Sequence, residues 1–430
     1  MPASALLLSA LLASPPASAN GQTTHVWITR EALRLLPSGD LKTLLQANED
    51  ALVHGTMFPD GGYPLGHPYG EAAHWEPFQD RYLQWIRDNH GAPYSAEGAR
   101  HVAFYMGLGS HGMADQHFDS CYLSWSRDTY DTDAGWADGF SMDEATDFLW
   151  AELTGPQDVP ERWVPDTVLV DLFADHGIDV DEDTLSEGQG LLEVAIQLVG
   201  IGSQNPDFMD QYRAKFPWAG THLEDDAVPG IPAYEAERVA VYWQEMWDRL
   251  DGRAADPLVS RTWPPDGGMG HPQDHTTPDA KLTVFFAEGL DPAEVPAERF
   301  TVVDTAGNPY AVSPQLYYGS DSHIVLLTPA DDWPPETDFV VTVSKGITSR
   351  YGTELTEDFT FGFSTTPPPV VVDTASPDAE DHVEDDGSDG SADGASDAGK
   401  DRSCGASGSS LLVFGTGLLG LGWRRRRTRG

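Results

Sequence analysis

The chain has 430 residues, 69 acidic and 25 basic, so its formal net charge is −44. A surface of this sign repels phosphate backbones, which excludes double-stranded nucleic acid as a partner. Only two cysteines are present, which excludes a disulfide-stapled scaffold or a cysteine-rich zinc finger. At about 100–200 residues per domain, the length predicts two or three domains.

Residues 1–19 are predicted to form a signal peptide. An apolar stretch from Ala5 to Ala13 is followed by two prolines, which argue against a core helix. A run of small residues that ends at Ala19 is typical of a cleavage site. We therefore expect export of the chain, with cleavage near Asn20.

Residues 20–255 are predicted to form an all-α domain. Apolar residues recur at helical spacing in seven segments: 25–36, 40–53, 78–89, 95–125, 143–153, 185–200 and 233–250. Thr24 and Ser95 are suitable N-caps for the first and fourth segments. The tryptophans are concentrated in this half of the chain, which fits a large helical core.

Residues 256–277 are rich in proline and glycine and are interpreted as a linker. Between 278 and 366 the apolar period changes to two, which predicts an all-β sandwich of six or seven short strands. The stretches PDAKLTVFFAEGLDPAEV, TVVDTAGNPY and FTFGFST resemble bacterial surface Ig-like domains, which implies a spacer or adhesive module. His323, at a strand start, is expected to be solvated.

The C-terminal part is predicted to link and anchor the chain. Residues 367–403, rich in Asp, Ser, Gly and Ala, form an expected disordered acidic linker. Residues 404–430 comprise Cys404, an apolar stretch barely long enough to cross a bilayer, and an arginine cluster. This pattern resembles the C-terminal sorting signals of Gram-negative surface proteins, most closely the myxobacterial type. The resemblance implies processing near Cys404 and cell-surface display. A plain single-span membrane anchor is the alternative, and both place most of the chain outside the cytoplasm.

Histidines and carboxylates between residues 25 and 147 suit a metal site. Eight of them are candidate ligands: His25, Asp60, His74, His111, Asp115, Asp119, Asp143 and Asp147. The three between 111 and 119 recur every four residues and so share one helical face, and the pair at 143 and 147 has the same spacing. Imidazole and carboxylate are the ligands of a catalytic zinc where cysteine is absent, and several helices can hold two or three ions in a bundle core. Clustered ions of this kind suit phosphodiester hydrolysis.

Four stretches within residues 23–147 carry a family resemblance: THVWITREAL, MFPDGGYP, AHWEPFQDRYLQWIRDN and VAFYMGLGSHGMADQHFDS. They resemble the zinc-dependent phospholipase C superfamily, most closely the catalytic domains of glycosylphosphatidylinositol-specific phospholipases D. The resemblance implies an all-α phospholipase C or P1 nuclease-like fold. It also implies ligand positions at His25, Asp60, His74, His111, Asp115 and Asp147. It further implies that Asp60 orients or deprotonates the attacking water.

This sequence departs from the family pattern at two positions. Asp119 and Asp143 stand where the family has histidines. Carboxylate oxygens at these positions make Ca²⁺ or Mg²⁺ conceivable beside zinc. His117 is an alternative to Asp119, although it faces another side of the helix.

The leading prediction is an exported, surface-anchored, zinc-dependent hydrolase of phospholipids or lipid-linked head groups, of C or D type. The acidic surface favours zwitterionic or glycosylated head groups over anionic lipids. One alternative is a catalytically impaired binding or adhesion protein that keeps a structural metal. The other is a secreted single-strand nuclease of the same fold. The sequence makes no prediction of the oligomeric state.

Overall fold

A computed structural model of the chain describes residues 20–131, 141–225, 228–256, 258–319 and 322–368. The predicted signal peptide and C-terminal anchor lie outside these ranges, as does the acidic linker except for its first two residues. The described residues belong to one compact unit, which spans 1–370. Within the described ranges, no helix combines the length and the hydropathy that crossing a bilayer requires.

Twelve α-helices of the described chain form the N-terminal part. They are α1 (Gln22–Leu35), α2 (Asp40–Ala47), α3 (Glu49–Met57), α4 (Tyr69–His74), α5 (Glu76–Asn89), α6 (Ala96–His117), α7 (Met142–Thr154), α8 (Asp166–Asp175), α9 (Glu182–Gly202), α10 (Pro206–Lys215), α11 (Pro217–His222) and α12 (Pro232–Leu250). Two π-helical segments, Phe118–Leu123 and Ser126–Tyr130, continue from α6. The predicted helical N-terminal part is confirmed.

Helix α1 begins on a carboxylate that another helix supplies. Thr24 was the expected N-cap, but Gly21 takes that position and Thr24 lies in the first turn. The backbone N–H of Thr24 donates to Asp147 Oδ1 at 2.6 Å, and its hydroxyl donates to the same oxygen at 3.0 Å. A Cβ on Gly21 would lie 2.3 Å from the Asp147 side chain, so glycine is required for this approach. The prediction for Ser95 is confirmed, because its hydroxyl accepts a hydrogen bond from Gly98.

Helix α6 runs through the middle of the helical part and is buried from Val102 to His117. The Trp243 indole on α12 donates to the Met106 carbonyl at 2.7 Å, which joins these two helices. A Cβ on Gly112 would lie 2.2 Å from the carbonyl oxygen of His74. The end of α4 therefore packs directly on α6.

Eight strands of the described chain form two antiparallel sheets around a second apolar core. They are β1 (Val259–Trp263), β2 (Leu282–Leu290), β3 (Phe300–Asp304), β4 (Pro309–Tyr310), β5 (Val312–Leu316), β6 (Ser322–Pro329), β7 (Asp338–Val343) and β8 (Phe359–Ser364). The sheet orders are β1-β2-β6-β5 and β4-β3-β7-β8. Trp333, Phe339 and Phe363 are buried in the core. The predicted β-sandwich is confirmed.

Strand β1 lies in the stretch that we interpreted as a linker, so residues 256–277 are not a linker throughout. It pairs antiparallel with β2, with Thr262 opposite Val284. Val259 and Thr262 are both buried. The strand is only five residues long and is followed by prolines from Pro264, which obscure a period-two pattern in the sequence.

The helical part and the sandwich share an apolar core. Phe285 on β2 and Ile324 on β6 pack in one cluster with Phe118 and Tyr122, which follow α6. The His117 ring stacks on Phe285 with ring centroids 4.8 Å apart. This contact excludes a flexible tether between the two parts and shows that His117 faces the sandwich.

A buried ionic cluster joins the same two parts around Glu76 on α5. His323 was expected to be solvated, but it is 1 % exposed, and its Nε2 lies 3.0 Å from Glu76 Oε1. Arg249 Nη1 and the Tyr242 hydroxyl each lie 2.9 Å from the same oxygen. Burial alone would raise the pKa of Glu76, but His323 and Arg249 hold it well below its usual range. The sequence prediction failed because β6 packs on α5, a contact that no local pattern reveals.

Candidate metal centre

Five of the predicted ligands meet at one place, which we call the His/Asp cluster. Its members are His25, Asp60, His74, His111 and Asp115. Helix α1 carries the first, a 3-10 turn at Phe58–Gly62 the second, the end of α4 the third, and α6 the last two. All are buried except Asp60, whose side chain is 15 % exposed. Asp60 is therefore the member of the cluster most open to solvent.

Two imidazole nitrogens and two carboxylate oxygens of this cluster lie at nitrogen–nitrogen and nitrogen–oxygen distances close to those between neighbouring ligands of one metal ion. The Nε2 atoms of His74 and His111 lie 2.9 Å apart. Asp60 Oδ1 lies 3.3 and 3.5 Å from these two nitrogens, and Asp115 Oδ2 lies 3.6 and 3.3 Å from them. Neighbouring ligands of a tetrahedral zinc at its usual bond lengths are about 3.3 Å apart. The spacing therefore fits one zinc ion.

The two imidazoles are oriented by backbone carbonyls. The Nδ1 atom of His74 lies 2.7 Å from the Gly70 oxygen, and that of His111 lies 2.7 Å from the Thr56 oxygen. Because a carbonyl only accepts, both Nδ1 atoms carry a hydrogen, which directs the Nε2 lone pairs toward each other. Two facing lone pairs repel, so a proton or a metal cation has to lie between them.

The charges in the cluster favour a proton on His111, which removes this repulsion when no metal is bound. Burial lowers the pKa of His111, but Asp115 and Asp60 outweigh it and raise that pKa to about 10. Burial alone would raise the pKa of Asp60, but His111 and His74, which face its carboxylate, hold that pKa well below the usual range. Oδ1 of Asp60 and Oδ2 of Asp115 are buried without a hydrogen bond among the described residues. A divalent cation would satisfy these atoms and both nitrogens together.

A second set of atoms lies on the other side of Asp115. Its Oδ1 is 3.1 Å from His25 Nε2 and accepts a hydrogen bond from the Asn20 backbone N–H at 3.1 Å. The His25 ring stacks on His111 with centroids 3.8 Å apart. Burial, together with His111, lowers the pKa of His25, which favours its neutral, metal-binding form. Asp115 thus presents each oxygen to a different imidazole, as a carboxylate that bridges two ions does.

Asp119 lies apart from the cluster, although it was expected to share a face with His111 and Asp115. It belongs to the π-helical segment, whose wider turn shifts it from the i+8 position of a regular helix. Its Oδ2 accepts a hydrogen bond from the Tyr318 hydroxyl, and its Oδ1 is buried without one. Burial and the Asp115 carboxylate raise the pKa of Asp119, against the effect of Tyr318.

Asp147 and Asp143, both on α7, are absent from the groups of described ligand atoms that lie within 4.8 Å of one another. Asp147 binds the first turn of α1, and burial raises its pKa to about 6 against the hydrogen bonds from Thr24. Asp143 is half-buried one turn earlier. The ligand roles of Asp119, Asp143 and Asp147 stay predictions.

One further residue contacts the cluster directly and another contacts it through Asn20, and neither was expected from the sequence. Gln22 Nε2 donates to Asp60 Oδ2. Glu235 on α12 is fully buried and accepts a hydrogen bond from Asn20 Nδ2 at 2.9 Å. The burial of Glu235 was predictable from the sequence, because Glu235 lies four residues before Val239, on the apolar face of its helix.

Comparison with known proteins agrees with this site. A family profile described as zinc dependent phospholipase C matches residues 24–118, and one described as bacterial Ig-like domain matches residues 254–365. The second match begins before β1, in agreement with the observed sheet.

Curated relatives match over limited stretches. The phosphatidylinositol-glycan-specific phospholipase D of Rattus norvegicus is 36% identical over 127 residues, which cover 27% of this chain and 15% of the relative. That of Dictyostelium discoideum is 25% identical over 259 residues, which cover 54% of this chain and 25% of the relative. The chain therefore spans a quarter or less of the length of these relatives.

Among solved structures, surface layer protein SbsC, domains 1–6, matches with a TM-score of 0.22 and 12% identity, over 77% of this chain and 46% of that one. A score this low does not assign a fold. Residues 24–118 of this chain are thus similar to zinc dependent phospholipases C, and residues 254–365 are similar to bacterial Ig-like domains.

Proposed function

We propose that the protein is a zinc-dependent phosphodiester hydrolase that acts on phospholipids or lipid-linked head groups. The observation that carries the proposal is the pair of Nε2 atoms of His74 and His111, 2.9 Å apart and flanked by two carboxylate oxygens. The match of residues 24–118 to zinc dependent phospholipases C supports the same reading. Export and cell-surface display belong to the proposal and rest on the sequence patterns at 1–19 and 404–430.

His74, His111, Asp60 and Asp115 would hold one zinc ion, and His25 with Asp115 Oδ1 would contribute to a second. When bound, zinc supplies Lewis acidity toward a phosphate oxygen and makes water more acidic. The burial of every ligand except Asp60 keeps solvent from the other sides of the site. A substrate phosphate and the attacking water therefore reach the cluster on the Asp60 side.

Asp60 is suited to orient the attacking water. Gln22 fixes its Oδ2, while its Oδ1 faces both imidazoles. Its pKa lies below the usual range, so the carboxylate is ionised at neutral pH and accepts a hydrogen bond from water. We propose that Asp60 orients this water while the water oxygen forms a bond to phosphorus and the P–O bond to the leaving alcohol breaks, with the proton of the water ending on the leaving oxygen.

The test is a hydrolysis assay on the full chain, with zinc restored and then removed by chelation. Phosphatidylcholine, phosphatidylinositol and a glycosylphosphatidylinositol-anchored protein serve as substrates. Analysis of the products distinguishes C from D cleavage. We expect turnover that needs zinc and falls at least 100-fold in Asp60→Asn, with His222→Ala as the histidine control outside the cluster. Zinc-loaded protein without turnover on any substrate would contradict the proposal.

A second candidate is a surface-binding protein that keeps zinc for structure alone. One observation favours it: the carboxylates of Asp119 and Asp147 are engaged by protein hydroxyls and amides. It predicts a zinc-bound protein that has no hydrolase activity and that unfolds at a lower temperature after chelation.

A further inference from the structure

Two tyrosines of the Ig-like domain reach across to Asp119, whose carboxylate interacts electrostatically with Asp115 of the His/Asp cluster. The Tyr317 hydroxyl donates to the Asp119 backbone oxygen at 2.8 Å, and the Tyr318 hydroxyl donates to its Oδ2. Both tyrosines follow β5 and precede β6. The sandwich therefore holds both the main chain and the side chain of one residue at the candidate site.

The Tyr318 ring lies at the edge of the site. It is 37% exposed, whereas its hydroxyl points inward to Asp119. The ring packs on Trp75, with centroids 4.9 Å apart, and Trp75 follows His74 of the cluster in the chain. Burial and the Asp119 and Asp115 carboxylates raise the pKa of Tyr318, so its hydroxyl remains a hydrogen-bond donor.

Strand β6, which follows Tyr318 in the sequence, is fixed to the helical part. The His323 backbone N–H donates to Gln116 Oε1 at 3.0 Å, and Gln116 is the neighbour of Asp115. His323 Nε2 also lies 3.0 Å from Glu76, and the next residue, Ile324, packs in the shared core. The Tyr317 backbone N–H donates to the Ile324 carbonyl oxygen at 3.0 Å, so β6 also holds the backbone next to Tyr318.

The hydrogen bond has a specific effect on Asp119. It occupies Oδ2 and leaves Oδ1, which is buried and has no hydrogen bond among the described residues. A carboxylate held by one oxygen and open at the other is prepared to bind a metal through a single atom. Residues that orient ligands in this way commonly affect metal affinity by about 10–100-fold.

We infer that the Ig-like domain completes the metal centre, with Tyr318 as the positioning residue that orients Asp119 as a one-oxygen ligand. This inference rests on the proposed function for the identity of the metal. It makes the Ig-like domain part of the active site rather than a spacer. It also explains how Asp119 can stand where the family that this sequence resembles has histidine. Tyr318 occupies one oxygen of the carboxylate, so Asp119, like histidine, has one atom left to bind a metal.

The test compares Tyr318→Phe with Tyr310→Phe, on β4 of the same domain, whose hydroxyl faces Asp304 instead of the candidate site, in the full chain. Each variant keeps its ring and loses one hydroxyl, but only Tyr318→Phe frees the Asp119 carboxylate. Zinc affinity is measured by competition with a chromophoric chelator, and zinc per chain by elemental mass spectrometry. We expect Tyr318→Phe to weaken binding of one zinc ion by about 10–100-fold, and Tyr310→Phe to change it by less than about threefold.

A double-mutant cycle with Asp119→Ala guards against indirect effects. If Tyr318 acts through Asp119, Tyr318→Phe will change zinc affinity little in the Asp119→Ala background. Unfolding of the zinc-free proteins shows whether Tyr318→Phe is folded, and Tyr318→Trp, which also lacks the hydroxyl, serves as the second variant. Wild-type zinc affinity in both Tyr318 variants would overturn the inference while leaving the hydrolase proposal intact. If the Tyr318 variants bind zinc more weakly but the wild-type chain hydrolyses no phosphodiester, the inference would stand and the hydrolase proposal would be overturned. A wild-type chain that binds no zinc would overturn both.

Discussion

His74 and His111 point their Nε2 atoms at each other over 2.9 Å, while backbone carbonyls hold their Nδ1 hydrogens. This pair is the centre of the functional account. Burial opposes a charge on His111, but the surrounding carboxylates raise its pKa to about 10, so without a metal His111 carries the proton that faces His74. Zinc binding therefore has to displace a proton from a site that the fold has already assembled.

Chelation of the metal is expected to destabilise the protein. A ligand that binds only the folded state stabilises it by about 2.7 kcal/mol at 100 times its dissociation constant. The temperature of unfolding should fall by several degrees on addition of a chelator, and zinc, added back, should restore it. The unfolding temperature of His111→Ala should respond to neither chelator nor zinc, whereas that of His222→Ala should respond as in wild type. An unfolding temperature that is the same with and without chelator in wild type would contradict a bound ion.

Gly112→Ala is expected to disrupt the metal centre. The added Cβ would lie 2.2 Å from the His74 carbonyl oxygen, so α4 would have to move away from α6. Such overpacking costs about 1–3 kcal/mol and would separate His74 from His111. Zinc content and denaturant unfolding measure the two effects. Gly91→Ala is the matched control, because a Cβ there meets no atom within 4 Å. Equal zinc content in both variants would show that this contact does not position His74.

Asp147→Ala is expected to weaken the start of α1. It removes the acceptor of the Thr24 backbone N–H and hydroxyl, both of which are buried. Loss of such a cap costs about 1–2 kcal/mol, which chemical denaturation can measure. Asp147→Asn, which keeps an acceptor oxygen, should lose less. If Asp147 is also a zinc ligand, as the sequence predicts, both variants will bind less zinc; unchanged zinc content would limit Asp147 to its capping role.

Glu76→Gln is expected to destabilise the contact between the helical part and the Ig-like domain. It leaves the buried Arg249 and His323 without their anionic partner, a change that commonly costs about 3–5 kcal/mol. The pKa of Glu76 is lower in the folded than in the unfolded state. Its contribution is therefore complete above the unfolded pKa and disappears as the pH falls through the folded pKa.

The stability of wild type should thus decrease below about pH 4.5 more steeply than that of Glu76→Gln. Urea unfolding at pH 7, 5 and 4 measures both the loss of stability in Glu76→Gln and the pH dependence of the two proteins. Glu187→Gln, on an exposed position of α9, is the control and should change stability by less than about 0.5 kcal/mol. Parallel pH profiles for wild type and Glu76→Gln would show that Glu76 does not carry this dependence.

A fragment that ends at residue 255 is expected to be unstable. It would expose the side chains that pack on Phe285 and Ile324 and would remove His323 from the buried Glu76. We expect the full chain to unfold in one cooperative calorimetric transition and the fragment to aggregate or unfold at a much lower temperature. Two separate transitions in the full chain, with one matching the fragment, would mean that the domains are independent.

Local sequence patterns predicted the long helices and most strands because these carry a strong apolar period. The short helices α4, α8, α10 and α11 were missed because fewer than three turns give too few repeats of the apolar pattern. Strand β1 was hidden among prolines. The sequence therefore predicted the two architectures, but not the boundary between them.

The candidate site was predictable where the ligands lie in distinctive motifs, as His25, Asp60, His74, His111 and Asp115 do. Asp119 was misplaced because helical spacing assumes a regular helix, whereas the chain turns into a π-helical segment at Phe118. Tyr318, Glu235 and His323 take part through contacts between distant parts of the chain. No pattern within a short window encodes such contacts.

The most direct test of the account is a crystal structure of the zinc-loaded full chain with anomalous diffraction at the zinc edge. We predict an anomalous peak between the Nε2 atoms of His74 and His111, within bonding distance of Asp60 Oδ1 and Asp115 Oδ2. A map without a peak there, or with zinc only at surface carboxylates, would contradict the assignment of this cluster as the metal centre.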